Sequence, residues 1–261
     1  MSRPASGFVT RCREILFGLW GWTVFGACTL FALIVALLVP GHERRCRLIA
    51  AAARAVFVLS GASVTVTGLE NLPDGHSVVV ANHASYLDGL LLKGYLPPRF
   101  SFVVKGEIRD VATVHFLLHR AGSRFVERFE AAGSARDARK IVQAAKGGES
   151  LAFFAEGTFR EFPGVGRFRP GAFVSATQGQ MPVVPVVITG TREMMPGEPK
   201  LPLPVPIRIN ILPAIPPDDP AFADHRVLAE ITRQRIIDVL DEPDLCAQST
   251  PDKENTNGAS P

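Results

Sequence analysis

The sequence predicts an α/β protein: a mixed, mostly parallel sheet flanked by helices, carried behind an N-terminal membrane-embedded helical anchor. Three observations carry this reading. Beyond Gly61 short β-branched runs alternate with helical stretches, residues 15–39 contain no charge, and a composition of 47% hydrophobic and 20% charged residues over 261 positions supplies a core. The same composition excludes a disordered polyelectrolyte and a collagen-like repeat. A mean hydropathy of +0.18 is high for a purely soluble chain and points some apolar surface at lipid. Cys12, Cys28, Cys46 and Cys246 form no close pair and no C-x-x-C, which argues against a disulfide framework or zinc module and for a reducing compartment. A net charge of +3 is too small for a nucleic-acid footprint.

Residues 1–60 read as the anchor. The run Ile15 to Val39 is 25 residues long. As a helix at ~1.5 Å per residue it reaches about 37 Å, enough to cross a hydrocarbon core of about 30 Å. It is longer than a signal-peptide apolar region and ends in Val39-Pro40-Gly41-His42 with no small-x-small cleavage site. Spanning and re-entrant anchors fit equally. Arg3, Arg11 and Arg13 before the run nearly balance Arg44, Arg45, Arg47 and Arg54 after it, so charge sets no topology. After the Pro40-Gly41 break, residues 43–60 read as a basic amphipathic helix with Arg44, Arg47 and Arg54 on one side and Leu48, Ile49, Val56 and Leu59 on the other. It suits either an anionic headgroup layer or the surface of the globular domain.

Residues 61–245 read as the globular domain. Strands are expected at Ser63 to Thr67, Ser77 to Ala81, Ser101 to Val104, Arg124 to Glu127, Ser150 to Phe154, Val183 to Ile188 and Ile207 to Leu212. Helices are expected at Leu87 to Tyr95, Ile108 to His119, Ser134 to Lys146, Ala172 to Gln178 and Arg226 to Leu240. The Pro-rich stretch Pro196 to Pro206 is an extended connection into the last strand. Residues 246–261 turn small and polar and read as a disordered tail.

The chemistry concentrates in Val78-Val79-Val80-Ala81-Asn82-His83-Ala84-Ser85-Tyr86-Leu87-Asp88, where an apolar strand runs into Asn-His and, five residues on, into Asp at a helix start. Ligand crevices of α/β proteins lie at such strand ends. Asp88 could turn back onto one ring nitrogen of His83, giving a base and its orienting acid, or simply cap the helix. No G-x-S-x-G elbow is present, so the pair fits a reaction whose substrate brings the hydroxyl. His115 and His119 share a helix face without an HExxH pattern, and Gly147-Gly148 and Gly164-x-Gly166 match no nucleotide template. Neither a metal nor a bound cofactor is expected.

Asn82-His83-x4-Asp88 resembles the N-H-x4-D signature of the glycerolipid acyltransferases, especially the 1-acylglycerol-3-phosphate acyltransferases. Three further segments are similar to that family's blocks in the same order: Gly122-Ser123-Arg124-Phe125-Val126-Glu127-Arg128, Phe154-Ala155-Glu156-Gly157-Thr158, and Val184-Pro185-Val186-Val187-Ile188. Lys105 matches a Lys between the first two blocks, and Phe168-Arg169-Pro170-Gly171-Ala172 is similar to a segment after the third, with Arg169 for the usual Lys. The resemblance covers roughly Gly61 to Gly190. Ala155 stands where Pro is usual, and Phe159 displaces Arg160 by one position.

The resemblance implies a membrane-bound enzyme that moves a fatty acyl group from acyl-CoA or acyl-carrier protein, as co-substrate, to the sn-2 hydroxyl of lysophosphatidic acid. It implies His83 as base and Asp88 as its orienting acid. Asn82, Lys105, Arg124, Arg128, Glu156, Gly157, Thr158, Arg160 and Arg169 would bind or order the phosphorylated acceptor. On a strand Arg124 and Arg128 share a face, and guanidinium matches phosphate oxygens bidentately. Residues 61–245 would be the acyltransferase domain, at the cytoplasmic face of a bacterial-type inner membrane. Another lysolipid acceptor, such as a lysophospholipid or lyso-ornithine lipid, and a non-catalytic lipid-binding module are the competing readings.

Overall fold

The computed structural model describes residues 7–127, 131–158, 162–195 and 201–247, with the backbone alone for 131–135. Seven strands form one sheet: β1 (Val64–Thr67), β2 (Val78–Ala81), β3 (Ser101–Lys105), β4 (Arg124–Val126), β5 (Leu151–Phe154), β6 (Val183–Thr189) and β7 (Ile207–Ile211). Their order is β1-β7-β6-β2-β5-β3-β4; these strands pair parallel except β6 with β7, which is antiparallel. The sheet is therefore mixed and mostly parallel, as the alternating pattern requires.

The helices are α1 (Phe8–Leu38), α2 (His42–Ser60), α3 (Leu87–Tyr95), α4 (Ala112–Arg120), α5 (Ala131–Lys146), α6 (Gly171–Gly179), α7 (Thr191–Met194) and α8 (His225–Ile237). They cover both sheet faces, so the central strands are buried on both sides and read as near-continuous apolar runs rather than alternating ones. Strand β2 shows the geometry. Val78 and Val80 pack with Ile141 of α5, Phe173 of α6 and Leu228 of α8, whereas Val79 and Ala81 pack with Val24 of α1, Phe57 of α2 and Leu91 of α3.

Several helices differ from expectation: α5 starts at Ala131 rather than Ser134, α8 ends at Ile237 rather than Leu240, α7 was not expected, and two differ more. The stretch expected as one helix from Ile108 is a 3-10 turn, Gly106–Asp110, followed by α4. Val111 between them is extended (φ −100°, ψ 90°), which interrupts the helical ladder. Helix α1 begins at Phe8, well before the uncharged run, because the charges of Arg11, Arg13 and Glu14 do not disfavour helix and mark only where apolarity starts.

Helix α1 is long and apolar enough to cross a membrane, yet one side of it is packed against the α/β body along much of its length. Gly18 and Gly21 receive Leu201 and Pro202; a Cβ at Gly18 would come 2.9 Å from the Leu201 Cβ. Val24 and Cys28 enter the core with Phe57, and Val35 and Ala36 pack with Ile49 and Ala121. Its last carbonyls are met by cations, as the helix dipole favours: Arg120 Nε donates to Ala36 O (2.6 Å) and an Arg45 Nη donates to Val39 O (3.5 Å). The opposite side, with Leu16, Leu19, Trp20, Leu30, Phe31, Ile34 and Leu38, is exposed. In α2, Cys46, Ile49, Ala53, Val56 and Phe57 are buried while Arg44, Arg47 and Arg54 are exposed.

Candidate active site

Strand β2 ends at Ala81, and the next two residues do different work. Asn82 is buried, and its amide bonds the backbone of Ile188 in both directions, donating to the carbonyl (2.9 Å) and accepting from the N–H (2.8 Å). It continues the pairing of β2 with β6 by side chain once the strand has turned away. Asn82 was expected to bind substrate; in the structure its amide is engaged with the sheet, which fixes where residue 83 begins.

His83 then stands at the C-terminal edge of the sheet. Its Nδ1 lies 2.9 Å from Asp88 Oδ2, its ring stacks on Phe154 at the end of β5 (centroids 4.2 Å apart, planes 19°), and its side chain is 15% exposed. Asp88 is fully buried. Its Oδ2 also accepts the backbone N–H groups of Ala84 (2.7 Å) and Ser85 (2.8 Å). Asp88 sits in the first turn of α3 and its Oδ2 reaches back over the turn that precedes the helix, meeting His83 Nδ1 and two turn N–H groups rather than capping the helix itself. With Nδ1 facing a carboxylate, the proton of neutral His83 belongs on Nδ1 and the lone pair on Nε2.

Glu156 closes the other side. One carboxylate oxygen accepts from His83 N (3.3 Å) and the other from Gly166 N (2.8 Å), so this side chain ties the end of β2 to the loop after β5. Gly157 makes the turn possible: its φ of +76° lies in the left-handed region that side-chain-bearing residues disfavour. Thr158 follows on the exposed rim. Arg169 returns to the same place, with its N–H on Ala155 O (2.8 Å) and its Nε 3.4 Å from Glu156 O, its side chain toward solvent. Lys105 ends β3 on the same edge of the sheet and is half-buried. Arg128 and Arg160 lie outside the described residues.

Arg124 does not join this cluster. Its guanidinium forks onto Glu149, with Nε–Oε1 at 2.8 Å and a second bond from Nη2 to Oε2. Burial alone would raise the Glu149 carboxyl, but the hydrogen bonds from Arg124 and Ser101 outweigh it and hold the pKa below the usual carboxylate value. Ser101 begins β3 and Glu149 precedes β5, so this pair sits at the opposite end of the parallel strands from His83. There it lines a cavity of about 680 Å³ with His42, Cys46 and His119. The expectation that Arg124 and Arg128 share one crevice counted strand alternation alone; it missed that Glu149 draws Arg124 backward along the strand.

Phe154 and Gly166 were not singled out as site residues. Phe154 pairs in register with Ala81, so an aromatic at this strand end is placed beside residue 83, but only the strand pairing reveals it. Gly166 carried a signal, the repeated Gly of Gly164-x-Gly166, which a nucleotide template does not explain and a carboxylate-binding loop does.

The Acyltransferase family model matches residues 63–189. The chain is 32% identical over 133 residues to the chloroplastic 1-acyl-sn-glycerol-3-phosphate acyltransferase BAT2 of Brassica napus, a match covering 50% of this chain and 38% of the relative. It is 27% identical over 253 residues to a 1-acyl-sn-glycerol-3-phosphate acyltransferase of Chlamydomonas reinhardtii, covering 93% and 73%. The crystal structure of the 1-acyl-sn-glycerophosphate (LPA) acyltransferase PlsC from Thermotoga maritima shares the fold, with a TM-score of 0.73 at 22% identity over 94% of this chain and all of that one. Residues 63–189, the stretch that holds His83, Asp88 and Glu156, thus form an acyltransferase-family domain.

Proposed function

We propose that the protein is a 1-acyl-sn-glycerol-3-phosphate acyltransferase, which converts lysophosphatidic acid to phosphatidic acid with acyl-CoA or acyl-carrier protein as donor. The observation that carries the reading is the His83–Asp88 pair at the strand end. Nε2 of His83 takes the proton of the sn-2 hydroxyl as its oxygen attacks the thioester carbonyl. The tetrahedral intermediate collapses with cleavage of the C–S bond, and the imidazolium returns the proton to the leaving thiolate. Asp88 keeps the tautomer and stabilises the transient cation. Lys105 and Arg169, with Arg128 and Arg160, are the cations assigned to the acceptor phosphate. The relatives' names support the acceptor.

Membrane association belongs to the same reading. The exposed side of α1 enters the acyl region of one leaflet while Arg44, Arg47 and Arg54 of α2 meet the headgroups, so the packed side of α1 keeps the domain at the surface where a single-chain acceptor diffuses. The active site then faces the cytoplasm, where the donor thioester is made. Incubation of the purified protein with acyl-CoA and a panel of lysophosphatidic acid, zwitterionic lysophospholipids and lyso-ornithine lipid, followed by mass spectrometry, tests the acceptor. Phosphatidic acid as the main product supports the reading; a different acylated lipid refutes the acceptor.

A further inference from the structure

The loop that holds Glu156 is itself held from behind. Gly166, whose N–H donates to Glu156, has its carbonyl bonded by Nε of Arg233 (3.1 Å), a residue of α8 that is only 4% exposed. The same guanidinium reaches Val165 O (3.4 Å), the Asp244 carboxylate and, at its outer edge, Glu230 (3.3 Å). The segment after α8 closes over this loop as well. Val165 pairs as an isolated bridge with Asp244, Gly164 N donates to Glu242 (2.7 Å), and Leu245 N donates to Val165 O (3.1 Å). The chain of contacts is short: Arg233 to the Gly166 carbonyl, the Gly166 N–H to Glu156, and Glu156 to the His83 N–H.

We propose that Arg233 is a positioning residue for acyl transfer, holding the 164–166 loop so that Glu156 fixes the backbone of His83. The proposal rests on the reading of His83 as the acyl-transfer base. A buried guanidinium is costly unless its donors are matched, and here it is matched to two consecutive carbonyls and a carboxylate, a fork that planar Arg provides and Lys does not. Those carbonyls belong to the loop that turns toward the site, not to α8. Without the fork the loop still has Glu242 and Leu245, so the expected effect is a shift of Glu156 and His83 rather than unfolding.

The test uses the full chain in detergent micelles. The protein has six histidines, so ¹⁵N-histidine labelling gives a short list of backbone amide resonances, with that of His83 assigned by its loss in His83→Gln. Arg233→Lys is expected to displace the His83 amide while His115 and His119, on α4, keep theirs. The kcat for lysophosphatidic acid is expected to fall roughly tenfold to a hundredfold, with the KM for acyl-CoA changed by under about twofold. Should Arg233→Lys fail to fold, Arg233→Met combined with Asp244→Asn removes the buried charge together with its partner and is read the same way. A His83 amide at its wild-type position in a folded variant overturns the proposal, whatever the rates do. Inactivity of the wild-type protein would strike the functional reading instead and would leave the resonance test standing.

Discussion

Asparagine at position 88 separates the two tasks of Asp88. The carboxylate is fully buried and 2.9 Å from His83 Nδ1. At that separation and an effective dielectric of about 20, its charge stabilises an imidazolium by at most about 6 kcal/mol, which corresponds to roughly 10⁴-fold in rate. Asp88→Asn removes that charge and its amide oxygen still accepts from Ala84 and Ser85, while its NH2 takes the place of the buried, unpaired Oδ1, so the fold should lose about 1–3 kcal/mol. Asp88→Ala leaves both buried N–H groups without a partner, at about 1–3 kcal/mol each, and should lower the melting temperature as well. The assay is thiol release from acyl-CoA at saturating lysophosphatidic acid, read beside thermal melting. A folded Asp88→Asn protein is expected to lose roughly 10³- to 10⁴-fold in kcat. Retention of more than about a tenth of wild-type kcat would show that the carboxylate charge does not act on the transition state.

Other outcomes follow from the same structure. Glu149, held below the ordinary carboxylate range by Arg124 and Ser101 against the opposing effect of burial, stabilises the fold above its unfolded pKa of about 4.3, and this is lost as pH falls through the lower folded value. Melting curves of wild type and Glu149→Gln should therefore differ at neutral pH and converge in acid; a constant gap would contradict the assignment. Gly94→Ala should destabilise by about 1–3 kcal/mol because its Cβ would meet the Arg54 backbone nitrogen at 2.6 Å, where α2 and α3 touch. Gly89→Ala, on the same helix with nothing within 4 Å, should be neutral or stabilising by up to about 1 kcal/mol. Equal melting temperatures for the two variants would refute the close-approach argument. Replacing Arg44, Arg47 and Arg54 with Gln should weaken binding to anionic vesicles by about 1 kcal/mol per residue, with little change on neutral ones. Sedimentation with both vesicle types checks this, and unchanged anionic binding would place α2 away from the headgroups.

Much of the fold was legible because parallel strands buried on both faces leave continuous apolar runs, and Val78 to Ala81 and Val183 to Ile188 stand out as such. All seven expected strands are present, each within a residue of its expected ends. The break at Val111 was not legible, since the apolar spacing from Ile108 to His119 satisfies helical periodicity whether or not one residue becomes extended. The uncharged run of α1 was plain in the sequence. That one side of α1 would pack on the body was not, because its Gly and Ala positions acquire meaning only when Leu201, Pro202 and Phe57 are seen opposite them.

The site divides along the same line. That His83, Asp88 and Glu156 lie together was readable because their spacing places them on adjacent strand ends, and β2 and β5 do pair in register. The partners of Asn82 and Arg124 were not readable. Both are polar residues beside a motif, and what decides their role is a distant partner, the Ile188 backbone in one case and Glu149 in the other. Arg233 lies far along the chain from any motif and reaches the site only through backbone carbonyls, which no side-chain pattern encodes.

The most direct test of the central claim, that His83 is the base for acylation of lysophosphatidic acid, is acceptor-dependent thiol release from acyl-CoA by wild type and His83→Ala under identical conditions. The account predicts release that requires lysophosphatidic acid in the wild type and is absent from a variant that melts like it. Acceptor-dependent release that survives in His83→Ala would contradict it.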